Sequence, residues 1–287
     1  MVGAVSAVIV FERIAKERRM KALVLAAVAL AGLTAAAPAT EPIPLYGAEP
    51  ADLDVQVERL VAAYPGAIAG REGNELVLKD GTRLPLSDGR TDKDFDTLLD
   101  RPDIGDMFAF RYPAGEPAAP PALNHDPGRI RVEALFRALY GDCRKGEVAG
   151  RLRTVKWLPR HGGGTVTLTE AQGAADALER VSRELDELPS SFVKYLVPSA
   201  GTYNCRAIAG TERMSMHAYG AAIDINTKHT TYWQWVKPGP DGTYRWSNQI
   251  PAEIVEVFER NGFVWGGRWY HFDTMHFEYR PELAVQK

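Results

Sequence analysis

Cysteine is scarce in this sequence, with only Cys143 and Cys205 among its 287 residues. Two cysteines exclude a disulfide-rich scaffold and a four-cysteine zinc module. The sequence also lacks a His-Glu-x-x-His motif, which excludes the helical zinc site of one large group of metallopeptidases. The triple glycine at 162–164 is not followed by a Gly-Lys-Ser/Thr ending, so a hairpin turn is favoured there over a phosphate-binding loop.

An excess of charge of one sign is also missing. The formal net charge is −3, which gives no electrostatic reason to expect a nucleic-acid partner. The apolar run at 22–33 is shorter than the roughly 20 residues that a membrane-spanning helix needs. With 45% hydrophobic and 25% charged residues, the chain has the composition of a globular protein with one large domain or a domain and a smaller companion.

The N-terminus has the three parts of a secretory signal peptide. Basic residues at 16–21 precede the apolar run, and small residues follow at 35–39. We expect a signal peptide at 1–39, cleaved after Ala39, with the true start at Met1 or at Met20. The alternative is an uncleaved N-terminal anchor. In the first case the mature protein is periplasmic or extracellular and has no stable membrane span.

Export changes what the two cysteines can do. An oxidising compartment permits a disulfide between Cys143 and Cys205. The sequence does not show that the two residues meet in space, so a disulfide and two buried thiols both remain open at this point.

Residues 40–125 predict an N-terminal extension. A linker at 40–50 precedes a small helix at 52–63, and a hairpin at 75–86 turns around Asp80-Gly81. A short helix follows at 95–99. The proline- and alanine-rich stretch at 113–127 marks the boundary of a second domain, at 126–287. The extension contains no chemical motif.

The second domain alternates helices with short strands. The pattern predicts helices at 129–140 and from about 251 to 260, and strands at 154–158 and 165–168. The clearest helix has Thr169 as its N-cap and ends before Pro189.

The first of two chemically dense motifs runs from Ser215 to Asp224. Gly220 and the apolar residues after it favour a turn that leads into a strand, from which Asp224 projects between two isoleucines. An ionised carboxylate there is costly unless it is paired or bound to a metal. The alternative for His217 and Asp224 is a buried hydrogen bond that serves packing.

The second motif is Asp-Thr-Met-His-Phe-Glu at 273–278. Strand alternation places His276 and Glu278 on one face, whereas Asp273 falls in the turn before the strand. Two imidazoles and a carboxylate form the three-ligand set of a catalytic zinc site, with a fourth position open for water. We therefore expect His217, Asp224 and His276 to hold one divalent metal ion.

Together, Ser-x-His-x-x-Gly-x-Ala-x-Asp and Asp-x-x-His-Phe-Glu resemble the zinc D-Ala-D-Ala carboxypeptidase and dipeptidase family. That family includes VanX- and VanY-type enzymes and L-alanyl-D-glutamate endopeptidases, and it shares its fold with the hedgehog signalling domain. The resemblance extends from about residue 126 to 283. It implies an α+β fold in which a small antiparallel sheet carries the zinc site and helices flank it.

The resemblance also implies roles for individual residues. His217, Asp224 and His276 would bind Zn²⁺, and Asp273 would be the catalytic carboxylate. Arg206 would steady the scissile carbonyl or a substrate carboxylate, because its guanidinium is always charged and binds bidentately. The expected substrate contacts are Arg206, Arg213, Ser215, Tyr219 and Trp265.

The export signal and the resemblance imply a zinc peptidase that acts on the peptide stems of cell-wall peptidoglycan. Its reaction would be that of a D-Ala-D-Ala carboxypeptidase or of an L-Ala-D-Glu type endopeptidase, and the sequence does not choose between them. One alternative is a non-catalytic, zinc-stabilised extracellular binding module of hedgehog-like fold, and another is a structural domain without metal. The presence of Asp273 favours the enzyme.

Overall fold

A computed structural model of the protein describes residues 52–284. The predicted signal peptide at 1–39 and the linker at 40–50 lie outside the described residues. Within the described range, no helix combines the length and the apolar character needed to cross a membrane. The described chain combines short helices with small antiparallel sheets, so the predicted α+β class is confirmed.

The first part of the described chain builds two α-helices and a three-stranded sheet. Its first helix begins after Asp52, whose carboxylate accepts a hydrogen bond from the backbone N–H of Asp54 (2.9 Å). The three strands form an antiparallel meander in the order β1-β2-β3. The elements are α1 (Leu53–Ala63), β1 (Ile68–Glu72), β2 (Glu75–Leu78), β3 (Arg83–Pro85) and α2 (Phe95–Asp100).

The rest of the described chain, up to residue 284, adds a hairpin, a second three-stranded sheet and five α-helices. Strands β4 and β5 pair with each other, and β8 lies between β6 and β7, antiparallel to both. The elements are α3 (Glu133–Tyr140), β4 (Leu152–Lys156), β5 (Thr165–Thr169), α4 (Ala174–Asp186), α5 (Val193–Leu196), β6 (Ala222–Asp224), α6 (Ala252–Arg260), β7 (Phe263–Trp265), β8 (His276–Tyr279) and α7 (Pro281–Ala284).

The prediction of Thr169 as a helix cap is wrong. Thr169 belongs to β5, where it pairs with Leu152 and its N–H donates to the carbonyl of Gly220 (2.8 Å). Helix α4 begins only at Ala174, after Gly173 in the left-handed conformation. Because its backbone is paired in the sheet, Thr169 is not the N-cap of α4.

One hydrophobic core contains residues from both sides of position 126. Leu60 and Leu76 belong to the same buried cluster as Leu178 and Phe277. A smaller cluster also joins the two sides, through Leu98, Leu99, Phe110 and Ile130.

Polar contacts join the same two parts of the chain. The hydroxyl of Tyr64 donates to Glu282 (2.6 Å), and that of Tyr112 donates to Glu259 (2.7 Å). Residues 52–125 are therefore packed directly on the part of the chain that carries the two motifs.

Of the two possibilities left open for the cysteines, the structure shows the disulfide. Cys143 and Cys205 are bonded, with Cα atoms 5.7 Å apart, and they are separated by 62 positions in sequence. The bond joins the turn after α3 to the irregular segment that precedes the first motif.

Candidate metal centre

His217 is presented by a single turn of 3-10 helix, Met216–Tyr219. Ser215 caps this turn, because its hydroxyl accepts a hydrogen bond from the N–H of His217 (3.3 Å). Gly220 ends it in the left-handed conformation, and a Cβ atom there would lie 3.0 Å from the side chain of Leu152. The glycine is thus needed both for its φ angle and for the close approach of the hairpin, and β6 can begin two residues later.

Asp224 and His276 meet because their strands pair. They lie directly opposite each other in the β6–β8 register, where cross-strand side chains on one face are neighbours. The Asp224 carboxylate lies between the two imidazoles: Oδ1 is 3.0 Å from Nδ1 of His276, and Oδ2 is 3.2 Å from Nε2 of His217.

The three side chains fit a zinc ion. One donor atom from each lies within 4.8 Å of the other two. Zinc bonds of about 2.0–2.2 Å at tetrahedral angles place ligand atoms roughly 3.3 Å apart. The 3.0 and 3.2 Å separations around Asp224 are close to that value. Two imidazole nitrogens and one carboxylate oxygen are also ligands that zinc prefers.

The hydrogen bonds of both imidazoles leave the correct nitrogen free for a metal. Nδ1 of His217 contacts the carbonyl oxygen of Thr202, so this nitrogen carries the proton and Nε2 faces Asp224. In His276 the arrangement is reversed: Nε2 lies 3.2 Å from Glu278, and Nδ1 faces Asp224. A partner of this kind fixes the tautomer and the orientation of a metal-binding histidine.

Glu278 is a permanently charged partner for His276. It is fully buried, which opposes ionisation, but Arg131, His276 and Arg280 outweigh the burial and lower its pKa to about 2. Nη1 of Arg131 lies 3.1 Å from the carboxylate, and Nη1 of Arg280 lies 3.2 Å from it. Burial lowers the pKa of His276, but the carboxylates of Asp224 and Glu278 outweigh burial and raise it to about 10. Without a metal ion, His276 is therefore protonated, and its imidazolium carries the positive charge beside these carboxylates.

Asp273 differs from the other carboxylates of the centre. It lies in the turn before β8, where its N–H donates to the carbonyl of Gly266 (3.0 Å). Its Oδ1 atom is buried and has no hydrogen-bond partner among the described residues. Burial raises the pKa of Asp273 to about 6, and the negative charge of Asp224 adds to the effect. A carboxyl group with this pKa can exchange a proton near neutral pH.

The glycine pair at 266–267 allows this turn to pack. A Cβ atom on Gly266 would lie 2.5 Å from the carbonyl oxygen of Asp273, and one on Gly267 would overlap the ring of Trp265. Both positions therefore require glycine, because a larger residue would displace the turn that carries Asp273.

The centre opens into a cavity of about 450 Å³. Arg206 and Ser215 line it together with Asp273 and the three candidate ligands. The cavity wall also includes Arg129, Arg131 and Trp269, which were not predicted as functional, together with Trp233 and His271. Three arginines give this cavity a positive wall, which suits an anionic substrate.

Three predicted substrate contacts lie away from the cavity. Tyr219 is buried against the rings of Phe136 and Tyr140. Trp265 is fully buried, and its indole N–H donates to the carbonyl of Thr274 (3.0 Å). Arg213 points to Asp100, with 3.2 Å between Nε and Oδ1. Packing in the hydrophobic core accounts for the positions of Tyr219 and Trp265.

Sequence reasoning did not identify Asp126 and Arg129 as part of the site. Asp126 is fully buried and accepts from both the backbone N–H and Nδ1 of His271, at 3.0 and 2.8 Å. Arg129 lies 2.9 Å from the same carboxylate and 5.7 Å from the centroid of the Trp269 ring. Asp126 lies in the proline-rich stretch and Arg129 just after it, where no periodicity marks them as functional.

Residues 209–279 match the protein family described as D-alanyl-D-alanine carboxypeptidase. The matched segment contains the three candidate metal ligands and Asp273 but not Arg206. Peptidases of the family are zinc-dependent in general, in agreement with the donor set described above. No curated protein matches the chain significantly.

Proposed function

We propose that this protein is a zinc-dependent peptidase that hydrolyses the peptide stems of cell-wall peptidoglycan outside the cytoplasm. One observation carries the proposal. His217, Asp224 and His276 place three donor atoms within 4.8 Å of one another in the wall of a cavity that also contains Asp273, a buried carboxylate with an unpartnered oxygen. A structural metal site has its ligands closed off from solvent, whereas this one faces a cavity large enough for a peptide.

A zinc ion held by His217, Asp224 and His276 would supply Lewis acidity, which polarises the scissile carbonyl and acidifies the attacking water. Two neutral imidazoles and one carboxylate leave the centre with a net positive charge. Glu278 and the carbonyl of Thr202 support this role, because they hold the protons of the two imidazoles on the nitrogens that face away from Asp224.

Asp273 is the proposed general base and acid. Its carboxylate takes a proton from the attacking water and then gives that proton to the leaving amine. Burial keeps its pKa near 6, so both forms are accessible at neutral pH.

Arg206 is the proposed stabiliser of negative charge on the substrate. Of the three arginines in the cavity wall, Arg129 lies beside Asp126 and Arg131 beside Glu278. The side chain of Arg206 is exposed, and its hydrogen bond goes to the carbonyl of Ala207 (3.4 Å). Its guanidinium is therefore available for an oxyanion or for the terminal carboxylate of a stem peptide.

Mass spectrometry of purified muropeptides tests the proposal. The mature protein is incubated with them after zinc loading, after removal of zinc by a chelator, and as the zinc-loaded Asp273→Asn variant. Zinc-dependent loss of a terminal D-Ala supports a carboxypeptidase, and release of the stem at L-Ala supports an endopeptidase. A protein that holds zinc but cleaves neither bond would contradict the proposal and favour a binding module.

A further inference from the structure

We propose that the Cys143–Cys205 disulfide is a positioning element for Arg206. The inference rests on the proposed function, because it assigns Arg206 a role on the substrate. It concerns a feature outside the matched family segment, since both cysteines and Arg206 precede residue 209.

Arg206 is not held in place by its own side-chain contacts. Its guanidinium donates one long hydrogen bond, to the carbonyl of the adjacent Ala207 (3.4 Å), and has no carboxylate partner within the described part of the chain. An exposed arginine with one such contact retains most of its rotamer freedom. The position of the guanidinium over the cavity must therefore be set by the backbone that carries it.

That backbone belongs to an irregular segment at 197–215, which contains isolated bridges but no helix or strand. On the C-terminal side of Arg206, Ala207 forms a bridge with Met214, and the carbonyl of Arg206 accepts from the N–H of Ser215 (3.2 Å). The residues at 206–209 then form one rim of the cavity.

The N-terminal side of this rim is tied by the disulfide. Cys205 is exposed, whereas Cys143 is buried in the main hydrophobic core. Asp142 caps the turn that carries Cys143 by accepting from the N–H of Arg144 (2.9 Å). The bond thus joins the residue next to Arg206 to a fixed point in the core.

The metal ligands do not depend on this bond. The carbonyl of Thr202 contacts His217, Asn204 donates to the carbonyl of His217 (3.1 Å), and Gly201 forms a bridge with Asp224. These contacts involve residues that precede Cys205, so they hold residues 201–204 in place whether or not the disulfide is present. Removal of the disulfide should therefore release Arg206 and its rim while zinc binding is retained.

A double-mutant cycle tests the inference. The four proteins are the wild type, Cys143→Ser/Cys205→Ser, Arg206→Ala and the triple variant, all zinc-loaded, with kcat and KM measured on a stem peptide. We expect loss of the disulfide to lower kcat/KM on the order of 10-fold or more when Arg206 is present, because small misplacements of a positioned group cost that much. In the Arg206→Ala background the same change should have almost no effect, and zinc content should equal that of the wild type throughout.

Two results would overturn the inference: an unchanged kcat/KM in the double serine variant, or an equal loss in the Arg206→Ala background. If the serine variant does not fold, the folded wild type is treated with a trialkylphosphine, which takes the oxygen of one water molecule to become the phosphine oxide, while the two hydrogens of that water convert the disulfide into two thiols. If the wild type binds zinc but does not hydrolyse stem peptides, the proposed function fails. The same cycle is then measured as the Kd of the peptide, with the same two outcomes.

Discussion

Two buried acidic clusters in this protein contain similar side chains and differ in what neutralises them. In the first, Lys93 is completely buried, with Nζ 2.8 Å from Asp88, 3.3 Å from Asp103 and 2.5 Å from Asp106. In the second, at the candidate metal centre, the carboxylate of Asp224 faces two imidazoles and that of Asp273 has a buried oxygen without a partner.

The two clusters differ in the cation that neutralises their carboxylates. Burial opposes the charge of Lys93, but hydrogen bonds to Asp106 and Asp88 outweigh it and raise the lysine's pKa, so the ammonium stays in place. Asp103 and Asp106 also accept each other's backbone N–H groups, both at 2.9 Å. Two of the three arginines in the cavity wall are instead paired with Asp126 and Glu278. A buried acidic cluster therefore indicates a ligand site only where no lysine or arginine of the chain is paired with its carboxylates.

The largest effect is expected for His217→Ala. Loss of one of three ligands should lower zinc affinity by more than the roughly 10–100-fold typical of outer-shell changes, and stability should fall with it because metal binding and folding are coupled. Zinc content by elemental analysis and thermal unfolding measure the two effects. Lys93→Met is the matched control, since it should leave zinc content unchanged.

Asp273→Ala should separate catalysis from metal binding. We expect kcat/KM on a stem peptide to fall by about 10²–10⁴-fold while one zinc ion per chain is retained, because general acid–base catalysis contributes on that order. Steady-state kinetics with parallel zinc analysis gives both values. Near-normal turnover would contradict the assignment of Asp273 as the base.

Lys93→Met tests the ion-pair cluster that Lys93 forms with Asp88, Asp103 and Asp106. It removes the cation from three carboxylates, so the free energy of unfolding should fall by about 3–5 kcal/mol, as for other buried pairs that lose one partner. Denaturant unfolding measures this. The control is Arg160→Met, which breaks an exposed pair with Glu187 and should cost at most about 1 kcal/mol. Equal costs for the two variants would show that the Lys93 cluster is not a buried charge network.

Glu278→Gln should weaken zinc binding by about 10–100-fold without removing a ligand, because the amide no longer holds the proton of His276 as a carboxylate does. Competition against a fluorescent zinc chelator measures the affinity. An affinity equal to that of the wild type would mean that the orientation of His276 is fixed by β8 alone.

The smallest effect concerns metal-free protein. The pKa of Asp273 is raised to about 6 in the folded state from 3.8, so its contribution to stability is present at low pH and is lost as the pH rises through about 6. Relative to Asp273→Asn, the wild type should thus lose about 2 kcal/mol between pH 4 and pH 7. Urea unfolding of both proteins across this range measures the difference, and parallel pH profiles would contradict it.

The sequence located the candidate ligands because they lie in two short motifs whose local geometry is simple. Alternation along β8 is enough to place His276 and Glu278 on one face, and Gly220 is enough to end the turn that carries His217. Family resemblance then added the role of Asp273. None of these inferences required knowledge of distant contacts.

The features of the fold and the site that the sequence did not reveal depend on contacts between segments far apart in sequence. Neither the Cys143–Cys205 bond nor the pairing of Asp126 with His271, 145 residues apart, has a local signature. Tyr219 lies beside a ligand in sequence, but packing against α3 takes its ring into the core. Thr169 resembled a helix cap until pairing with β4 placed it in a strand.

Calorimetric titration of zinc into metal-free protein tests the central claim most directly, with the wild type, Asp224→Asn and Lys93→Met compared at neutral pH. The account predicts one zinc ion per chain for the wild type and for Lys93→Met, and loss of tight binding for Asp224→Asn, because Asp224 lies between the two imidazoles. Unchanged zinc affinity in Asp224→Asn would contradict it, since the metal would then be held elsewhere.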